Sequence, residues 1–162
     1  MNVLIRNHLI AALMMLAMSA SWAADCTVSA TAANFGDYNV MANAHNRSGV
    51  GTISVFCVST VPQGNETVNY TLMISSGMSG NTLQRHVGNG ADRLFYNLYS
   101  DAALTQIWGD GAGGSTVVTG SMMLTPGRPT ASVTHTAYGV IPPGQNGASG
   151  QFSDTLSVTL IY

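Results

Sequence analysis

The chain has 162 residues, enough for one domain. Eighteen are glycine, only 7% are charged, none is lysine, and the formal net charge is −2. Charge this weak and scattered excludes the basic stripe that nucleic-acid binding needs, and a hydrophobic fraction of 46% excludes a disordered chain.

Residues 1–23 read as a secretory signal peptide. Arg6 and His8 lie near its start, Leu9 to Ala17 is apolar, and Ser21-Trp22-Ala23 offers small residues where a signal peptidase reads them. Cleavage is placed after Ala23, leaving a single domain over 24–162. The apolar run is shorter than the ~20 residues that span a bilayer, so no membrane span is expected after cleavage. The remaining chain keeps four arginines (Arg47, Arg85, Arg93, Arg128) against seven acids, a formal charge of −3.

In chain order, Cys26 to Ala32 alternates Thr27, Ser29 and Thr31 with Val28, Ala30 and Ala32, a first strand. Asn34 to Asn39 is a turn carrying Phe35 and Tyr38. Met41 to Ser48, small and polar, reads as a loop. Gly51 to Ser59 sets Ile53, Val55 and Cys57 against Thr52, Ser54 and Phe56, a second strand. After a turn at Pro62-Gln63-Gly64-Asn65, Thr67 to Ser75 is a third strand, with Val68, Tyr70, Leu72 and Ile74 on one face.

Ser76 to Gly90 reads as a long loop or weak hairpin, and Asp92 to Ser100 as a strong strand. Thr105 to Trp108 is a short strand and the glycine cluster at 109–114 a turn. Thr116 to Leu124, Ser132 to Ile141 and Phe152 to Tyr162 complete the set. In the last, Phe152, Asp154, Leu156, Val158, Leu160 and Tyr162 share one face. Its outer edge needs a cover, because unpaired strand amides and carbonyls template pairing with another chain. Either an earlier strand covers it or another protein does. Short alternating strands between turns, with no helical stretch, predict an all-β sandwich.

Two cysteines, Cys26 and Cys57, in an exported chain read as one disulfide between the first two strands. It would close a loop of about 32 residues, worth about 3–4 kcal/mol in the chain-entropy model. Metal ligation and a reactive thiol are the alternatives, and neither cysteine has a histidine at ligand spacing.

No catalytic, cofactor or metal site is legible. Gly109 to Gly114 matches the letters G-x-G-x-x-G, but Ser115-Thr116-Val117-Val118-Thr119 after it is β-prone where a helix must open. His45, His86 and His135 fall in separate elements with no metal-binding spacing. Ser, His135 and Asp154 supply the letters of a triad without a nucleophile elbow, and His135 is expected to face solvent. Three Asn-x-Ser/Thr sites, at Asn46, Asn65 and Asn69, matter only in a eukaryotic secretory pathway. The chain is not expected to be an enzyme.

One ordered set of motifs carries a resemblance over essentially the whole of 24–162. It comprises Cys26-Thr27-Val28-Ser29-Ala30 with Phe35-Gly36-Asp37-Tyr38, then Gly51-Thr52-Ile53-Ser54-Val55 into Cys57. Tyr96-Asn97-Leu98-Tyr99-Ser100-Asp101 follows, with Trp108-Gly109-Asp110-Gly111, Tyr138-Gly139-Val140-Ile141-Pro142-Pro143-Gly144-Gln145 and Ser153-Asp154-Thr155. The set resembles the spore coat protein U domain, a family that includes pilins of archaic chaperone–usher pili.

The resemblance implies an incomplete immunoglobulin-like sandwich lacking its last strand. It implies three partners: a periplasmic pilus chaperone, an outer-membrane usher, and a neighbouring pilin subunit that donates the missing strand. The chain would pass through the periplasm to a cell-surface pilus that serves attachment or biofilm formation. The acceptor edge carries over to Leu156, Val158 and Leu160, with Tyr162 at its end. Burying about five donor side chains at ~2 kcal/mol each contributes on the order of 10 kcal/mol, as much as the whole stability of an ordinary domain. The sequence departs from the family's shaft subunits, which carry a donor extension before the first cysteine. Only Ala24 and Asp25 precede Cys26 after cleavage, so a distal or minor position is expected. Two other readings remain: a stand-alone secreted carbohydrate- or surface-binding module using Tyr38 and Trp108, and an envelope or spore coat component.

Overall fold

The computed structural model describes residues 24–61 and 63–162; the expected signal peptide, residues 1–23, lies outside them. Among these residues eight strands form two facing sheets: β1 (Asp25–Ala30), β2 (Asn46–Val58), β3 (Glu66–Ile74), β4 (Arg85–Asn89), β5 (Asp92–Tyr99), β6 (Val118–Leu124), β7 (Thr130–Ile141) and β8 (Val158–Ile161). The larger sheet has the order β1-β2-β7-β5-β4, the smaller β6-β3-β8, and every pairing is antiparallel. This is an all-β sandwich.

The alternation seen in the sequence sets which face each strand buries. Ile53, Val55 and Cys57 turn inward from β2, and Val68, Tyr70, Leu72 and Ile74 from β3. They meet Leu94, Tyr96 and Leu98 of β5 and Leu124 of β6 in one core cluster. Cys26 and Cys57 stand opposite one another in the β1–β2 ladder and are joined by a disulfide.

Several boundaries differ from the sequence expectation. Strand β2 begins at Asn46, inside the stretch expected as a loop, because small residues there pair with the end of β7 across a bulge between Asn46 and Gly49. The Phe35 ring lies over Gly49 and Gly139, leaving no room for a Cβ at either, and meets Tyr96 edge-on at 5.6 Å. The Gly/Ser/Asn-rich stretch 76–90 contains a single 3-10 turn, Gly77–Ser79, and all of β4. The segment 105–108 forms only isolated bridges, Tyr99 to Ile107 and Trp108 to Thr116.

The largest difference is in the last strand. Of Phe152 to Tyr162, only Val158–Ile161 pairs as a strand, with β3. Residues 152–157 keep the expected alternation of half-buried and exposed positions. They lack a continuous ladder because they cross between the sheets. Ser153 exchanges two backbone hydrogen bonds with Gly88 of β4, whereas the Ser157 carbonyl accepts from the Ser75 N–H beyond β3.

Candidate strand-acceptor groove

In the smaller sheet β3 occupies the centre and β8 one edge. Among the described residues no strand pairs with the outer side of β8; β6 pairs with the opposite side of β3. Strand β8 approaches β1 across the opening without forming a ladder.

Along this flank runs a cleft of about 1340 Å³. Ile53, Val87, Leu94, Leu98, Ala137 and Ile141 form its floor, from the inward face of the larger sheet. Phe152, Leu156 and Val158 form one wall, and the chain from Ala30 to Val40 forms the facing rim. Every floor residue is buried, so the cleft is a narrow seam, not an open trough. An occupant must part the walls to reach the floor.

Of the four residues expected at the acceptor edge, Leu156 and Val158 line the cleft. Leu160 is half-buried and packs on the core cluster. Tyr162 is 53% exposed and lines a separate, shallower depression with Ile161, Asn69, Thr71 and residues 119–121.

The wall is held by polar contacts that sequence reasoning did not pick out. Asp154 accepts from the Tyr96 hydroxyl at 2.8 Å and from the Met78 N–H at 2.9 Å. Its carboxylate lies where a Cβ at residue 77 would sit, and Gly77 has φ +64°, so glycine is required there on both counts. Burial, reinforced by the hydrogen bond to Asp154, pushes the Tyr96 phenol far above its ordinary range, and it stays a donor. The available signal was an acid on the inward register of the last strand, between Phe152 and Leu156.

Beneath the wall lies Arg85, fully buried on β4. Its guanidinium donates to the carbonyls of Ser75, Ile74, Trp108 and Thr82 and to Asn97 Oδ1. Desolvation lowers its pKa. Nothing in the composition of 76–90 set this arginine apart from the surface ones.

The residues weighed for other chemistry have structural partners. Trp108, a candidate only under the binding-module reading, is fully buried and donates its indole N–H to the Leu72 carbonyl. Tyr38 is half-buried, donates its hydroxyl to the Pro142 carbonyl and accepts from the Gln145 N–H. His135 does not face solvent as expected: it is half-buried, its Nε2 lies 2.8 Å from the Tyr70 hydroxyl, and burial lowers its pKa. It bonds Tyr70 while Asp154 bonds Tyr96, so these two belong to separate networks. Asp110 is held by the Ala112 N–H and the Ser115 hydroxyl inside the glycine-rich turn. No cluster of three metal-ligating side chains occurs among the described residues.

The fold and this flank together define a class: an immunoglobulin-like β-sandwich with a disulfide and an edge strand, β8, whose outer side is unpaired among the described residues and borders an apolar seam. The spore coat protein U domain model matches residues 12–159, and the chain belongs to that family. Protein U of Myxococcus xanthus is 33% identical over 141 residues, which cover 80% of this chain and 70% of that protein. A solved structure with the same fold comes from the CsuC–CsuE chaperone–tip adhesion subunit pre-assembly complex of the archaic chaperone–usher Csu pili of Acinetobacter baumannii. The match has a TM-score of 0.53 and 17% identity, covering 86% of this chain but only 40% of the matched one.

Proposed function

We propose that this protein is an exported pilus subunit of an archaic chaperone–usher system, assembled by accepting a strand along β8. The observation that carries the reading is that edge strand, whose unpaired side borders a seam floored by the domain's own core. A periplasmic chaperone would fill the seam first and a neighbouring subunit later, after passage through an outer-membrane usher. Leu156, Val158 and Leu160 are the acceptor positions, and the assembled fibre would serve surface attachment at the cell exterior. Burial of an alternating donor would add apolar contacts that the domain lacks by itself.

Ala24 is buried and Asp25 already pairs with Val58 in β1. If cleavage falls after Ala23, neither residue is free to reach a second subunit, which supports a distal or minor place in the fibre. The description of the matched family, spore coat protein U domain, favours a second reading, a component of a spore or envelope coat built on the same domain. The carbohydrate-binding reading loses its two candidate aromatics, since Trp108 is core and Tyr38 braces a turn.

The test is to express the full-length chain in its own host, isolate it gently from the periplasm and record a native mass spectrum. A one-to-one complex with a chaperone-sized partner is expected, and the subunit mass fixes the cleavage site. A stable, partner-free monomer overturns the proposal.

A further inference from the structure

Arg85 is a buried cation whose hydrogen-bond acceptors are all neutral, while the carboxylates of Asp154 and Asp110 act on it through space without bonding it. Four backbone carbonyls and one side-chain amide receive its donors, at 2.7 to 3.3 Å. Burying a charge without a carboxylate bonded directly to it is costly, and an apolar side chain of like volume often serves stability as well or better. The contacts themselves show where this arginine acts.

Two of the acceptors, Ile74 and Ser75, are the last residue of β3 and the one after it. Ile74 is the β-ladder partner of Val158, the first residue of β8. Ser75 meets the wall directly: its N–H donates to the Ser157 carbonyl at 2.9 Å, and its Oγ accepts from the Ser157 N–H at 2.9 Å. Its carbonyl receives both Nε and Nη2 of Arg85. Every polar group of Ser75 is therefore committed, one side to Arg85 and the other to the start of the last strand. Arg85 itself stands on β4, in the opposite sheet. Asn97 of β5 braces the guanidinium at 2.7 Å and is in turn tied to the Leu83 carbonyl.

We infer that Arg85 is a positioning residue for the acceptor wall: reaching from the larger sheet, it fixes Ile74–Ser75 and thereby sets where Ser157 and Val158 dock and which side chains face the seam. The inference rests on reading β8 as an acceptor, although no donor would touch Arg85. A one-residue slip of this docking would turn Leu156 and Val158 away from the cleft, because side chains alternate along a strand. The planar fork of the guanidinium spans Ser75, Trp108 and Asn97 at once, which a lysine ammonium cannot do.

The experiment is hydrogen exchange at single amides, on full-length protein expressed in its own host and recovered from the periplasm, comparing wild type, Arg85→Met and Arg85→Lys. The Ser75 and Ser157 amides bond each other's residues, so an occupant of the seam does not protect them. In Arg85→Met these two should exchange at least tenfold faster while the Val55 and Val133 amides, in the β2–β7 ladder, are unchanged. Arg85→Lys should lie between. Equal acceleration at all four sites, or none at Ser75 and Ser157, overturns the inference. If Arg85→Met does not accumulate, Asn97→Ala, which removes one brace of the guanidinium, must show the same selective pattern, and its absence counts equally against the inference. A wild-type chain found without a partner, yet with the selective pattern in the variants, would sink the acceptor reading and leave the role of Arg85 standing.

Discussion

The β2–β7 ladder and the β8 wall are built from similar alternating residues, yet they are held together differently. Strands β2 and β7 are 13 and 12 residues long, flanked by β1 and β5, and β2 carries the disulfide to β1. The wall is four paired residues on one side of β3, preceded by six that cross between the sheets with isolated hydrogen bonds. Backbone pairing and apolar burial define the first region. A few side chains, Arg85, Asp154, Tyr96 and Ser75, define the second. Alternation alone specifies a face; a partner on both sides is what makes a strand's position robust.

The largest effect should come from charging the wall. Val158→Asp places a carboxylate against the seam, where an unpaired charge is strongly disfavoured. The one-to-one periplasmic complex should disappear while the Val55 and Val133 amides keep their protection. A complex that persists breaks the contrast between the regions. Next is the clasp of the paired region. Replacing Cys26 and Cys57 together by serine should cost about 3–4 kcal/mol, measured as a lower urea midpoint. A loss confined to exchange in β8 would mean that the disulfide serves the wall instead.

Tyr96→Phe sharpens the comparison from the other side. It removes the hydroxyl that bonds Asp154 and should cost roughly 1–3 kcal/mol, with faster exchange at Met78 and Gly88 and little change in β2. The smallest effect concerns His135, between the sheets. Its folded pKa lies below the ordinary 6.5, so the unfolded chain binds the extra proton first as pH falls. Stability present above about pH 6.5 should decline below it. The urea midpoint should drop from pH 7.5 to 5.5, and drop less in His135→Gln.

The sandwich was legible because its strands carry period-two patterns that survive burial: Val68, Tyr70, Leu72 and Ile74 face inward as their spacing predicts. The cysteine pair was legible from its number and the expected export. Strand β4 was hidden, since Arg85-His86-Val87-Gly88-Asn89 buries its first three residues in succession and shows no alternation. The start of β2 was hidden for a related reason: Gly49 and Gly139 serve Phe35, a contact between residues far apart in the chain. In the last segment, the alternation that turns Leu156 and Val158 to the cleft was readable. The crossing of 152–157 was not, because it depends on where β3 and β4 end, and that is fixed by Arg85 and Asp154.

The order of elements along the chain also governs the order of events. Residues of β1 and β2 emerge first and lie close in sequence, so their hairpin and its disulfide can form early, at small loop-closure cost. Strand β7 follows some eighty residues after its partner in β2 (Ser54 pairs with Thr134, for example), a slow, long-range closure. Strand β8 comes after all of these. On the proposed function, a helper that fills the seam would therefore act on a domain whose disulfide hairpin has already had time to form, and it could act only once the last segment has supplied the seam's wall.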